Sequence, residues 1–198
     1  ACNSKGKWLD EQALFKIKEY LLSNKTEKNL RDYALFNFML KTGVRANELC
    51  HIKKSDIIYK DGKAIEVLIR HGKGDKERLI ELDQSIIQPL EEYWQQLKIS
   101  GYSSSDDFLF YTVPSNAHKQ RRNLDKNALY YIIKNVGKKT GYEISPHKLR
   151  HSMATHSFKN GADLVSVSSR LGHSSVNTTA AIYLHNDNEC LKYIKHIF

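Results

Sequence analysis

Apolar residues recur at helical spacing from the start of the chain, at Leu9, Ala13, Leu14, Ile17, Leu21 and Leu22, with Asp10 placed to cap them. This predicts a first helix ending near Leu22, where the polar run Ser23–Lys28 breaks the pattern. Tyr33, Ala34, Phe36, Phe38, Met39 and Leu40 predict a second helix, which Gly43 stops as a C-terminal cap would. Val44-Arg45-Ala46-Asn47-Glu48-Leu49 follows directly as a short third helix. The periodicity then changes. Ala64–Arg70 and Glu77–Leu82 are β-rich and flank the glycine-bearing segment 71–76, a hairpin pattern. A helix over Ser85–Leu97 tolerates Pro89 near its start, and Ser103–Asp106 is a loop before a small strand, Phe108–Tyr111. His118–Arg122 reads as a basic loop, and a helix runs from Asp125 to Lys139. Pro146 and Gly161 bracket a helix over His147–Lys159; Leu164–Leu171, ended by Gly172, and Val176–Leu184 are further pieces, and Asn188–Ile197 forms a terminal tail. The expected fold is mainly α with a small antiparallel β-sheet (α+β), without repeats or a second-domain boundary.

The 198 residues suffice for one large core, and 40% hydrophobic with 27% charged residues is a globular composition. A formal charge of +9 (31 basic against 22 acidic) favours a polyanionic partner, nucleic acid ahead of a membrane surface. Cys2, Cys50 and Cys190 are odd in number, widely spaced and without a Cys-x-x-Cys pair, so neither a zinc ribbon nor a disulfide framework is expected. No apolar run approaches membrane-spanning length and the first residues are not a signal peptide, which points to a soluble cytoplasmic protein without membrane association.

Candidate chemistry gathers in a few places. Arg45 and Glu48 share a helix face, either as an ordinary surface ion pair or as an arginine braced to grip a phosphate through both nitrogens of its fork. Gly72-Lys73-Gly74-Asp75-Lys76 lies at the hairpin tip. It lacks the Gly-Lys-Ser/Thr ending of a nucleotide-binding loop, so it is either a solvated turn or a lysine aimed into a DNA groove to protonate a leaving oxygen. His147 and Arg150 face together three residues apart, a proton carrier beside a phosphate clamp. His147, His151 and His156 do not form a recognised metal-binding spacing. Last come Leu171-Gly172-His173 and, ten residues on, Tyr183 with His185, one tyrosine among 11.

Taken in order, these words resemble the catalytic domain of the tyrosine recombinase (phage integrase) family. The words are Thr-Gly-x-Arg-x-x-Glu-Leu, Gly-Lys-Gly-x-Lys-x-Arg, His-x-Leu-Arg-His and Leu-Gly-His-Ser-Ser, followed by the late tyrosine. The resemblance implies site-specific DNA strand cleavage and rejoining through a 3′-phosphotyrosyl intermediate, without metal or other cofactor. It assigns Tyr183 as nucleophile, Arg45 and Arg150 as the paired arginines, Lys73 as acid to the leaving oxygen, His147 as general acid/base and His173 as a phosphate-binding histidine. Glu48, Lys76 and His185 take supporting places. Lys119, Arg121, Arg122, Ser152 and Thr155 are candidate DNA-backbone contacts. The implied partner is a double-stranded recombination site on which the protein forms a tetramer, being a monomer without DNA. Residues 1–7 are then a linker, 8–185 the catalytic domain and 186–198 a tail helix, with the family's N-terminal core-binding domain absent. A type IB topoisomerase-like enzyme and a catalytically silent DNA-binding fragment are the alternatives.

Overall fold

A computed structural model of the chain describes residues 7–70, 77–102, 107–114 and 120–172. Seven α-helices and three strands lie among them: α1 (Glu11–Leu22), α2 (Glu27–Thr42), α3 (Ala46–His51), β1 (Ile57–Lys60), β2 (Lys63–Ile69), β3 (Arg78–Glu81), α4 (Gln84–Ile99), α5 (Lys126–Thr140), α6 (Pro146–Lys159) and α7 (Leu164–Leu171). Side chains cap the helices where the sequence places an oxygen before the first turn. Asp10, Thr26, Asp125, Ser145 and Asp163 each accept a backbone N–H of the helix that follows.

Helix α2 is the central element, packed by α1, α4 and α6. Its burial on several sides includes Ala34, Leu35, Phe36, Phe38 and Met39, and also the polar Arg31, Asp32, Asn37 and Thr42. Each of those polar groups is matched. Arg31 donates to Asp32 at 2.8 Å and 2.5 Å, and Thr42 donates to the Phe38 carbonyl at 2.6 Å. Asn37 solves a problem in α4: Pro89 has no N–H for the Ser85 carbonyl four residues back, and Asn37 Nδ2 donates to that carbonyl at 2.7 Å instead. The core continues through Tyr93 and Phe110, stacked with centroids 5.9 Å apart, and Phe38 edge-on to Phe110.

The sheet is antiparallel in the order β1-β2-β3. Val67 pairs with Ile57 and with Ile80, and Ile69 pairs with Arg78. Alternation buries Ile57, Val67, Ile69 and Ile80 while Leu79 on the opposite face stays half exposed. Strand β1 was not expected from the pattern, since only Ile57 of its four residues is buried. The segment expected as a strand at Phe108–Tyr111 forms isolated bridges, Lys53 to Phe108 and Tyr111 to Asn123, rather than a ladder. The pieces expected at Val176–Leu184 and Asn188–Ile197 lie outside the described residues.

The chain enters the domain along α6. Leu9 N–H donates to Ser152 Oγ at 2.8 Å, and His156 Nε2 meets the Leu9 carbonyl at 2.8 Å. Trp8 packs edge-on against His156, and Lys159 Nζ lies over the indole 4.3 Å from its centre. Among the described residues, no helix is long and apolar enough to cross a membrane.

Candidate functional site

The site forms where three chain reversals meet: the end of α2 leading into α3, the root of the β2–β3 hairpin, and the end of α7. Gly43 and Gly172 end α2 and α7 in the left-handed region, at φ 68° and 63°. Helix ends leave carbonyl groups without intrahelical partners. Here arginines take them up. Arg150 donates through Nη1 to the Gly43 carbonyl at 2.5 Å and through Nη2 to the Leu171 carbonyl at 2.6 Å. Arg45 Nη2 donates to the Gly172 carbonyl at 3.1 Å, and Arg78 Nε to the Arg170 carbonyl at 3.1 Å. Three consecutive carbonyls at the end of α7 and its cap, those of residues 170, 171 and 172, thus hold three different arginines, and the negative end of the helix dipole faces all of them.

Glu48 is the carboxylate at the centre. Its Oε2 accepts the Arg45 backbone N–H at 2.8 Å and Arg78 Nη2 at 2.8 Å; its Oε1 accepts Arg45 Nη1 at 2.8 Å and Arg78 Nη1 at 3.0 Å. Those bonds fill the acceptor capacity of a carboxylate. Burial would push the Glu48 acid up, but the hydrogen bonds from Arg78 and Arg45, with the charge of Arg78, hold it down to about 2. Of the two readings open for Arg45 and Glu48, an ordinary surface ion pair does not hold: the pair belongs to a buried network. Glu48 is 2% exposed, Arg78 11% and Arg45 28%, so only Arg45 of the three still turns a substantial part of itself to solvent.

Arg150 is buried at the centre of the same cluster. Burial first, and then the charges of Arg45 and Arg78, bring its pKa down to about 9, with Glu48 opposing. It stays protonated at neutral pH, in a place where three guanidinium groups share one carboxylate among the described residues. Such an excess of positive charge, held in fixed forks, is an anion site, and it fits the two outer oxygens of a phosphodiester. His147 lies exposed one helical turn before Arg150, its ring 5.8 Å from that of His151. Among the described residues, no group of three or more His, Cys, Asp or Glu is placed to hold a metal ion.

The structure therefore brings together Arg45, Glu48, Arg150 and, on the same helix, His147. Lys73, Lys76, Lys119, His173, Tyr183 and His185 lie outside the described residues. Several expected DNA contacts need correction. Ser152 is fully buried, accepting from Leu9 and donating to the Lys148 carbonyl at 2.7 Å, and Thr155 is 1% exposed, because α6 is covered by its neighbours along that face. Arg121 is paired with Glu27 through both guanidinium nitrogens and lies 4.8 Å from the centre of the Tyr102 ring, with 9% of its side chain exposed. Arg122 is exposed. Arg78, by contrast, was not singled out by sequence reading. The signal was present: it stands two residues before Ile80 and so shares the core-facing parity of the strand, where an arginine needs a partner.

Comparison with known proteins agrees with this arrangement. Residues 7–189 match the sequence profile described as the phage integrase family. The tyrosine recombinase XerC of Staphylococcus aureus (strain JH9) is 38% identical over 186 residues, covering 92% of this chain and 57% of the relative. The crystal structure of XerA recombinase superposes with a TM-score of 0.75 at 33% identity, over 96% of this chain and 63% of that one. XerH site-specific recombinase, crystallised bound to a palindromic difH substrate as a post-cleavage complex, gives 0.74 at 29% identity, over 96% of this chain and 52% of that one. The chain thus spans a little over half the length of the curated relatives it matches.

Proposed function

Because this chain belongs to the phage integrase family, we propose that it cuts and rejoins DNA strands at a specific site by way of a covalent protein–DNA intermediate. The observation that carries this reading is the pair Arg45 and Arg150, fixed by helix-end carbonyls and, for Arg45, by Glu48, with more positive charge than the site neutralises itself. A scissile phosphate supplies the missing anion. As phosphorus becomes five-coordinate, charge grows on its two non-bridging oxygens, and preformed guanidinium donors gain most at that moment.

Tyr183 Oη attacks phosphorus, its proton passing to His147, and the bond to the 5′-oxygen breaks as Lys73 gives that oxygen a proton. The products are a 3′-phosphotyrosyl ester and a free 5′-hydroxyl. A free tyrosine ionises near pH ~10 and is a weak nucleophile at neutrality, so the arginines must lower the barrier it faces. The ester formed is close in energy to the diester broken. A 5′-hydroxyl of a partner strand reverses the attack and closes a new joint without an energy-rich cofactor. His173 donates to the phosphate, and Lys76 and His185 support the lysine and the tyrosine. Partners are two copies of a double-stranded site, synapsed by a tetramer that assembles on DNA from monomers; XerH, crystallised on its DNA substrate, supports DNA as the partner. Arg122 and Lys119 are the remaining candidates for contacts to the DNA backbone.

The test is a pool of nicked duplexes with randomised sequence around the nick, incubated with the protein in EDTA and resolved on a denaturing gel. A covalent adduct is expected, enriched in particular sequences and abolished by Tyr183→Phe. An adduct that persists in that variant, or requires added divalent metal, overturns the reading.

A further inference from the structure

Arg78 is the less exposed of the two arginines that bind Glu48 through their side chains, at 11% against 28% for Arg45. What it touches is unusual in its spread. Its two terminal nitrogens fill half of the hydrogen-bonding capacity of Glu48, and its Nε holds the Arg170 carbonyl. Its side chain also lies directly beneath the turn at Gly172: a Cβ on that glycine would stand 2.9 Å from Arg78 Nη1 and 3.0 Å from both Cδ and Cζ. Gly172 in turn gives its carbonyl to Arg45. So both anchors of the Arg45 guanidinium, the Glu48 carboxylate and the Gly172 carbonyl, rest on Arg78. By sequence, Arg78 also begins the strand that leaves the hairpin bearing Lys73, five residues earlier, while Gly172 immediately precedes His173.

We propose that Arg78 is a positioning residue for strand cleavage, which holds Glu48 and the Gly172 turn so that the Arg45 fork meets the scissile phosphate in one orientation. The inference rests on the reading of the chain as a DNA-cleaving recombinase. Its physical basis is that a lone carboxylate can bind a guanidinium in several ways. A carboxylate whose other lone pairs are already taken by a second, immobile fork can bind it in one. Arg78 acts through Arg45, whose two anchors it holds. Displacement of a phosphate-binding group by about an ångström costs on the order of a hundredfold in rate.

Arg78→Ala is therefore expected to slow adduct formation on the nicked pool by about a hundredfold, with the salt dependence of DNA binding unchanged, since no phosphate contact is removed. Arg78→Lys recovers part of the rate, because an ammonium restores charge but not the two-pronged contact; Arg78→Gln, which keeps a donor without charge, serves where the alanine variant melts early. A methylphosphonate linkage separates positioning from mere structure. With one non-bridging oxygen replaced by methyl, the group carries no charge for Arg45 to neutralise, so the deficits of Arg45→Ala and Arg78→Ala shrink together. If Arg45→Ala is rescued on that linkage and Arg78→Ala is not, the proposal is wrong. A measurement without DNA completes the test. In the 15N-labelled protein, slow rotation of the Arg45 guanidinium gives separate Nη signals, which merge in Arg78→Ala and stay separate in Arg121→Ala. Signals that stay separate in Arg78→Ala overturn the inference even where wild-type protein forms no adduct, a result that would sink the proposed function instead.

Discussion

Gly43→Ala probes packing and the active site at a single atom. Gly43 has φ 68°, and a Cβ there would lie 2.3 Å from Met153 Cε and 2.9 Å from Leu171 Cδ2, against a normal carbon–carbon contact of about 3.5 Å. The left-handed backbone costs a non-glycine residue about 1–2 kcal/mol. Forcing a methyl into a filled core costs about 1–3 kcal/mol more, near the low end if the flexible end of Met153 swings aside. The sum is about 2–5 kcal/mol, and for a domain of this size each kcal/mol lowers Tm by about 2–4 °C. Gly62→Ala is the internal control: its φ is 74° and nothing lies within 4 Å of the added Cβ, so it carries the backbone cost alone. Urea and thermal unfolding of the two variants should differ by the packing contribution, about 1–3 kcal/mol. Met153→Ala should be less costly in the Gly43→Ala background than in wild type, because the new methyl occupies part of the cavity. Adduct formation should fall by more than the stability loss explains, since the Gly43 carbonyl that holds Arg150 shifts with the backbone. Equal destabilisation by Gly43→Ala and Gly62→Ala would refute the packing argument.

Glu48, depressed to about 2 in the fold, adds stability that is fully present above its ordinary carboxyl range and lost as pH falls toward 2; the stability gap between wild type and Glu48→Gln should shrink by about 3 kcal/mol between pH 5 and pH 2 in urea titrations. Asn37→Ala removes the donor to the part-buried Ser85 carbonyl and should cost about 0.5–1.5 kcal/mol, while Pro89→Ala in that background, restoring the helical donor, should recover most of it. Arg121→Ala should lower Tm and leave the salt slope of DNA binding unchanged, whereas Arg122→Ala should reduce that slope by about 1 with little effect on Tm; the reverse pattern would return Arg121 to the DNA surface.

Helix ends were the part of the fold most readable from sequence, because their chemistry is local. Asp10, Asp125 and Pro146 mark starts and Gly43, Gly161 and Gly172 follow ends, each by a rule that involves only a few neighbouring residues. Strand β1 was missed although its signals are local: Ile57, Ile58 and Tyr59 are strand formers, and Asp61-Gly62, both at positive φ, make the two-residue turn into β2. Among site residues, spacing brought Arg45 to Glu48, but as the extended cap of α3 and its third residue and not as two positions on one helix face. His147 and Arg150 do lie one turn apart on α6. Spacing could not show that Ser152 and Thr155 are enclosed, because that depends on which helices cover α6. Nor could it show that Arg121 finds Glu27 across 94 positions of sequence. The role of Arg78 fell between these cases: its parity was local information, but its partners were not.

The end of α7 also fixes a length. Three successive carbonyls there, at residues 170, 171 and 172, each serve a different arginine, so the helix acts as a ruler whose last marks are read by fixed side chains. Adding one residue to α7 would rotate those carbonyls by about 100° and advance them by about 1.5 Å. Every arginine would then face the wrong group at once. Substitutions within the helix can be absorbed one at a time, but a single insertion or deletion between Asp163 and Gly172 alters the whole cluster together. Variation in chain length in this fold is accordingly expected in the hairpin and the loops, and not in that short helix.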